Sequence, residues 1–450
     1  MTQQPERATD EEALESPAAP DASGADLERR NFFRTFSREA FQTAATVVGA
    51  ASAVRKGTTA AAVELLGLGV DPEVGADRLA AAMDHDGIGG RSPYRMDRDR
   101  IMVLDQRRLP GEIVEVVCNS GAEVAGSIRD GAVGPGPVLG PLAAYAMALT
   151  ADRNVASRPF VRSATLRGTA NALRNARPDS AALDMALTRV AAAWEAARGA
   201  PASEDADTQT GAAIAAAVRA EADAIATEAM VGLTRLVEHG VAVLPRPGDR
   251  PLEVVTIGAT GPLSAGLVGT AMGIIAAVAA AGRPIHAWVL EARPAQAGAR
   301  IGAAELAASD VPATVIADGA IGWLFRDRTI DAVLVGADWI AANGDVANVT
   351  GTFPLAVMAA RHDVPVYVCA PRLVVSERKT TGNALTIIMR GRQELLAMPA
   401  EPTAEDIDVR VPLSDVTPAE LVTAYVTDVG VLRAPFAPLA APLGAPEEPL

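Results

Sequence analysis

Three stretches of the chain set polar or charged side chains at the ends of apolar runs, where an α/β fold places its chemistry. The first is Thr256-Ile257-Gly258-Ala259-Thr260-Gly261-Pro262-Leu263-Ser264, which joins a strand pattern to a helical one. Its glycines let backbone N–H groups face an anion at a helix start, so Thr260 and Gly261 are candidate phosphate contacts. A plain glycine turn linking strand to helix is the alternative. No GxSxG elbow surrounds Ser264, and no histidine lies in a convincing partner segment, which argues against a serine hydrolase.

The second stretch runs from Leu334 to Asn348 and reads LVGADWIAANGDVAN. An apolar strand here delivers Asp338 to the carboxyl edge of a sheet, where a general acid or base belongs. A surface aspartate capping the next turn is the competing reading, and the long Gly-containing loop behind it favours function. The third is Glu291-Ala292-Arg293-Pro294-Ala295-Gln296-Ala297-Gly298-Ala299-Arg300, again just past a strand. Arg293 and Arg300 there suit a phosphate or carboxylate, or are two solvated arginines at a helix start.

These loops need a scaffold, and the pattern from residue 251 onward supplies one. Strands are expected at 252–257, 285–290, 312–317, 331–335, 364–369 and 384–388, with helices at 262–281, 299–308, 319–325, 353–362 and 418–424. Alternation at this spacing means βαβ units and a doubly wound parallel sheet. Upstream, short strands are expected at 100–106 and 112–118, then helices at 121–130, 140–151, 158–174, 179–198 and 211–240. Five segments follow: an acidic disordered tail (1–27), a helical extension (28–92), a small α/β domain (93–245), a Rossmann-like domain (246–435) and a flexible tail (436–450).

Composition narrows the function classes. The chain has 450 residues, which at about 150 per domain suggests roughly three units. Its net charge of −15 disfavours a nucleic-acid partner, because that field repels phosphate backbones. Two cysteines, Cys118 and Cys369, make neither a disulfide framework nor a Cys-only zinc site. The four histidines are scattered and form no metal motif, so no metal site is expected. Residues 254–282 carry no charge but are broken by glycines, so a buried strand–turn–helix fits them better than a membrane span. Arg29-Arg30-Asn31-Phe32-Phe33 imitates a twin-arginine export signal, yet Arg38 and Glu39 interrupt the apolar run behind it. An amphipathic helix and a cytoplasmic location are expected instead.

Taken together, the segments resemble the methylthioribose-1-phosphate isomerase family, whose relatives include ribose-1,5-bisphosphate isomerase and regulatory subunits of an initiation-factor exchange complex. The resemblance runs from about Ser92 to Pro435. It is carried by VGADWIAANGDVAN at 335–348, with LDQRRLP at 104–110, ARP at 176–178, EARPAQAGAR at 291–300 and DVTPAELV at 415–422. It implies a small N-terminal α/β domain before a Rossmann-like one, a homodimer, and a sugar-phosphate substrate isomerised without cofactor. By the same resemblance Asp338 is the catalytic aspartate, Arg177 a phosphate-binding arginine and Asn348 a substrate contact, with Arg293, Gly298 and Arg300 also in place.

The chain also departs from the family's pattern. Gly258 stands where the family carries its catalytic cysteine, Val349 where it carries a lysine, and Gly134–Gly140 lacks a phosphate-binding arginine. Cys369, ending the strand 364–369, is a candidate replacement thiol, with a buried structural cysteine as the alternative. Two functions are therefore expected to compete. One is an aldose–ketose isomerase acting on 5-methylthioribose 1-phosphate or a related sugar 1-phosphate in methionine salvage. The other is a catalytically impaired homologue that binds a sugar phosphate, nucleotide or protein partner.

Overall fold

A computed structural model describes residues 93–198, 206–391 and 408–433, apart from Arg98, Pro247, Leu267 and Glu377. The acidic tail, the extension up to Ser92 and the tail from Ala434 lie outside these residues. The N-terminal part begins with an antiparallel sheet of β1 (Tyr94–Asp97), β2 (Arg100–Leu104) and β3 (Glu115–Cys118), in that order. β1 is an addition to the two expected strands.

Five helices follow: α1 (Gly121–Arg129), α2 (Leu139–Arg153), α3 (Pro159–Ala176), α4 (Ala181–Arg198) and α5 (Ala206–Val243). The start of α1 is fixed by a reciprocal cap. The Glu123 N–H donates to Ser120 Oγ at 3.2 Å, while the Glu123 carboxylate accepts from the Asn119 N–H at 2.9 Å. α2 is buried along nearly its whole length, because Ala, Leu and Met occupy every side of it, and the other helices pack around it. At 38 residues, α5 is about 57 Å long. Its first half packs on α2 and α4, while Leu236 and Val237 join the core beneath the second sheet. One helix thus ties both parts together.

The C-terminal part is a seven-stranded sheet. It contains β4 (Leu252–Ile257), β5 (Ile285–Leu290), β6 (Ala313–Ile316), β7 (Ala332–Val335), β10 (Val366–Cys369), β15 (Ala424–Thr427) and β16 (Gly430–Leu432). Their spatial order is 16-15-10-7-4-5-6, all pairs parallel except β15 with β16. Order reverses between β4 and β7, which makes the crevice beyond their carboxyl ends the switch point where such sheets bind ligands. Successive residues of β4, β7 and β10 alternate between two apolar cores, one on each face. Beyond this edge lies a four-stranded sheet of β8 (Trp339–Ala341), β9 (Val346–Val349), β11 (Val375–Ser376) and β14 (Ser414–Thr417), ordered 11-8-9-14. The pair β12 (Met389–Arg390) and β13 (Val411–Pro412) completes the strands.

Three expectations are corrected. The helix expected over 262–281 is split into one turn at Pro262–Ala265 and α6 (Ala271–Ala280), because Gly266 and Gly269 adopt φ of 93° and 81°. The helix expected over 418–424 is a short 3-10 turn followed by β15, since parallel pairing with β10 overrides the local pattern. The strand expected at 384–388 is instead a 3-10 turn, Gly382–Ala384, and irregular chain. The remaining helices are α7 (Ala303–Ala308), entered through a π-helical turn at Gly298–Gly302, α8 (Ile321–Asp327) and α9 (Thr352–Arg361).

Candidate active site

β7 is buried on both faces and delivers Gly336-Ala337-Asp338 to the switch point. The Asp338 N–H donates to the Ala347 carbonyl at 3.0 Å, and its own carbonyl accepts from the Ala181 N–H at 3.3 Å. Asp338 is therefore pinned by β9 on one side and by the start of α4 on the other. α4 is preceded by Arg177-Pro178-Asp179-Ser180, so this contact carries the N-terminal part's ARP segment into the crevice. There Arg177 Nε and Nη2 donate to the two oxygens of Asp179 at 2.9 and 3.0 Å, and both residues are buried. The pair has a direct effect on Asp338. Desolvation first, and then the Asp179 charge, push its carboxyl up to about 7, against the opposing pull of Arg177. Asp338 is half-buried.

The loop after β4 closes the other wall. A Cβ at Gly336 would lie 3.0 Å from Thr260 Cγ2 and 4.0 Å from Asn348 Oδ1, so the three segments meet there. Asn348 is buried on β9, and its amide donates to Thr352 Oγ1 at 3.1 Å. Gly258 has φ of 78°, and a Cβ on it would stand 3.2 Å from Val349 Cγ1. Gly258 and Val349 thus face each other and fit tightly.

The structure brings Asp338, Arg177, Asn348 and Thr260 together. Thr260 among these is also engaged by the protein, and the remaining candidates stand elsewhere or have protein partners of their own. Thr260 Oγ1 accepts from the Met272 N–H at 3.2 Å, which caps α6. Beside Gly261 the Leu263 N–H donates to Glu305 Oε1 at 2.8 Å, so the chain's own carboxylate already occupies this turn. Arg293 lies half-exposed on the loop after β5, on the same sheet edge. Asp318 holds that loop, accepting from the N–H groups of Ala292 and Arg293 at 2.9 and 2.7 Å while Ala292 sits at φ of 61°.

Arg300 is engaged by backbone carbonyls of the protein. Its Nε and Nη2 donate to the carbonyls of Gln106, Arg107 and Leu109 at 2.7–3.1 Å, which anchors the LDQRRLP turn. Cys369 is not brought to the site. It is fully buried among Tyr367, Ala424 and Val426 on the helix α6 face, because β10 alternates and its Val366 and Val368 face the other way. Burial pushes its thiol well above the usual range.

Two residues that sequence reading passed over matter here. Asp179 had a visible signal, a carboxylate two positions after Arg177. Gln106 had none, since its partners are remote in sequence: its amide donates to the Leu263 carbonyl at 2.9 Å and accepts from the Gly134 N–H at 3.0 Å. Among the described residues no group of three His, Cys, Asp or Glu side chains could hold a metal, and no helix is long and apolar enough to cross a membrane.

The fold and site define a class, a two-part α/β protein with a Rossmann-type sheet and a carboxyl of raised pKa at its switch point. Residues 139–434 match the Initiation factor 2 subunit family. The methylthioribose-1-phosphate isomerase of Synechococcus sp. (strain CC9605) is 40% identical, over 79% of this chain and 98% of its own length. That of Magnetococcus marinus is 38% identical over 74% of this chain and 92% of its own. Among solved structures, 5-methylthioribose 1-phosphate isomerase from Pyrococcus horikoshii OT3 superposes with a TM-score of 0.66 at 29% identity, covering 76% of this chain and 93% of that one. The delta subunit of translation initiation factor eIF-2B from A. fulgidus gives 0.62 at 27%, covering 76% and 96%. The chain belongs to the Initiation factor 2 subunit family, as the resemblance in its sequence implied, and its similarity within that family extends to methylthioribose-1-phosphate isomerases.

Proposed function

We propose that the chain is an aldose–ketose isomerase that converts 5-methylthioribose 1-phosphate, or a closely related sugar 1-phosphate, to its ketose 1-phosphate in methionine salvage. The observation that carries this reading is Asp338, a carboxyl at the switch point whose pKa is raised to about 7. A phosphate on the anomeric oxygen blocks spontaneous ring opening, so the ring oxygen must receive a proton from an acid. Carbon 2 must then lose its hydrogen, either as a proton to a base or as a hydride to carbon 1 while its hydroxyl gives up a proton. A carboxyl poised near neutrality can give the first proton and accept the second. Arg177 and Asn348 are the side chains best placed to orient the substrate beside it.

The test follows ketose formation from 5-methylthioribose 1-phosphate by NMR, with Asp338→Asn alongside. Turnover by the unaltered protein that the substitution abolishes is the expected result. No turnover, or turnover indifferent to the substitution, removes the isomerase reading.

One observation favours a second reading. Two of the donors of Arg177 are taken by Asp179, and Gly258 and Val349 leave a thiol-free, uncharged wall. A homologue that binds a sugar phosphate or nucleotide without converting it fits these facts, and saturable binding with no product would establish it. We further propose a cytoplasmic homodimer, on the basis of the family resemblance. Light scattering and cell fractionation test these two points.

A further inference from the structure

We propose that Gln106 is a positioning residue, whose side-chain amide latches the two parts of the molecule so that residues 134–138 brace the crevice wall formed by residues 258–264. This rests on the isomerase reading of the site and adds to it what holds one wall in place. Gln106 stands on the turn after β2, in the N-terminal part, and is 4% exposed. Its Nε2 donates to the Leu263 carbonyl at 2.9 Å, on the loop that follows β4, while its Oε1 accepts from the Gly134 N–H at 3.0 Å. One side chain thus joins a carbonyl of the C-terminal part to an N–H of the N-terminal part. Only a group that donates and accepts at once can do this, and among uncharged side chains of this length glutamine alone qualifies.

The two segments that Gln106 joins also grip each other. Ser264 Oγ donates to the Pro135 carbonyl at 2.8 Å, and the Ser264 carbonyl accepts from the Val138 N–H at 3.2 Å. Gly136 lies so close that a Cβ on it would collide with the Ser264 carbonyl. Leu104, Leu109, Leu263 and Ile301, two from each part, form a small apolar cluster at the same seam, with Ala259 packed on it. Losing the buried Gln106 amide there leaves a carbonyl and an N–H without partners. Thr260 links the seam to the chemistry. It lies between Ala259 and Leu263 in the chain, and its Cγ2 comes within 3.0 Å of the Cβ position of Gly336, two residues before Asp338. Arg300 secures the backbone of the Gln106 turn, and the Gln106 amide carries that hold onto the crevice wall. Without the latch the wall is free to move from Gly336, and a ligand must bring it back before binding in full.

Two variants of the full-length protein test this. Gln106→Met keeps the length of the side chain and removes both bonds. Gln106→Glu keeps them only when protonated, because a carboxylic acid donates and accepts whereas a carboxylate only accepts. Burial against a carbonyl raises the pKa of that glutamate, so its latch should hold at about pH 5.5 and open by about pH 8.5. Hydrogen exchange read by mass spectrometry reports the latch. In Gln106→Met, amides within 134–138 and 258–264 should exchange about tenfold faster or more, and those of α2 and β5 should not. Gln106→Glu should match the unaltered protein at the lower pH and Gln106→Met at the higher, and it carries the test if Gln106→Met does not fold. In turnover, Gln106→Met should raise KM for the sugar phosphate about tenfold with kcat within about threefold, because bound substrate holds the wall in place. A general loss of folded protein would instead lower the apparent kcat and leave KM alone. Exchange within twofold of the unaltered protein in both segments overturns the latch, as does Gln106→Glu behaving like Gln106→Met at the lower pH. Faster exchange with KM unmoved overturns the positioning role. Turnover with unmoved exchange refutes the latch and leaves the isomerase reading standing. Latch-dependent exchange without turnover does the reverse.

Discussion

The guanidinium of Arg177 holds both oxygens of Asp179, at 2.9 and 3.0 Å, and both charges act on Asp338. The Asp179 charge, which raises the Asp338 pKa, outweighs the opposing pull of Arg177. Asp179→Asn should remove a charge that raises the Asp338 pKa and release Arg177 to lower it further. The limb of the pH–rate profile that belongs to Asp338, expected near 7 in the unaltered protein, should move to lower pH. A profile of kcat against pH for both proteins checks this, and an unshifted limb would count against the coupling.

Asp338→Asn should lower turnover by about 10²–10⁴-fold, and its effect on stability should have the opposite sign. Because the folded pKa of Asp338 lies above its unfolded value, the native state binds the proton more tightly. Its ionisation thus removes stability as pH rises from about 4 toward 7. The asparagine variant should be more stable than the parent at pH 8 by on the order of 1–3 kcal/mol, converging with it near pH 4. Urea denaturation at the two pH values measures the difference.

Arg300→Met should destabilise the fold without first touching the chemistry. It deletes the donors that hold the carbonyls of Gln106, Arg107 and Leu109, joining the turn after β2 to the π-helical turn before α7. Hydrogen bonds from a charged donor suggest a loss of about 2–3 kcal/mol. A lowered denaturation midpoint is the expected readout, with substrate affinity in the remaining folded protein largely kept.

Cys369→Ala should leave turnover within about twofold and cost on the order of 1–2 kcal/mol of stability, the usual range for a small truncation in a packed core. Its thiol is fully buried in the core on the helix α6 face of the sheet. Steady-state kinetics and thermal unfolding on the same sample separate the two effects, and a loss of turnover without unfolding would restore the thiol to the mechanism.

Much of this protein is legible in its sequence. Period-2 and unbroken apolar runs mark β4, β5, β6, β7 and β10, because burial on both faces demands Val, Ile, Leu and Ala. The same runs show which loops lie at the carboxyl edge, so Asp338 is found from sequence alone. Local patterning does not reach pairing between distant segments. β15 reads as a helix until β10 pairs with it, and the small sheet of β8, β9, β11 and β14 is assembled from pieces up to 78 residues apart. The side of a strand is decided in the same way. Cys369 and Val368 are neighbours in sequence, and only the sheet shows that they face different cores.

For the site, sequence determines which residue types are present: an aspartate after an apolar strand, an arginine before Pro178, a glycine at position 258. Tertiary structure decides what each is free to do. Arg300 carries the same charge as Arg177, yet its donors go to backbone carbonyls while those of Arg177 go to Asp179. Lys379 has no motif to announce it, and it comes to lie over the Trp339 ring because β11 pairs with β8. The reason is physical. The chemistry of an ionisable group is set by desolvation and by charges within a few ångströms, and those neighbours come from segments that only the fold brings together.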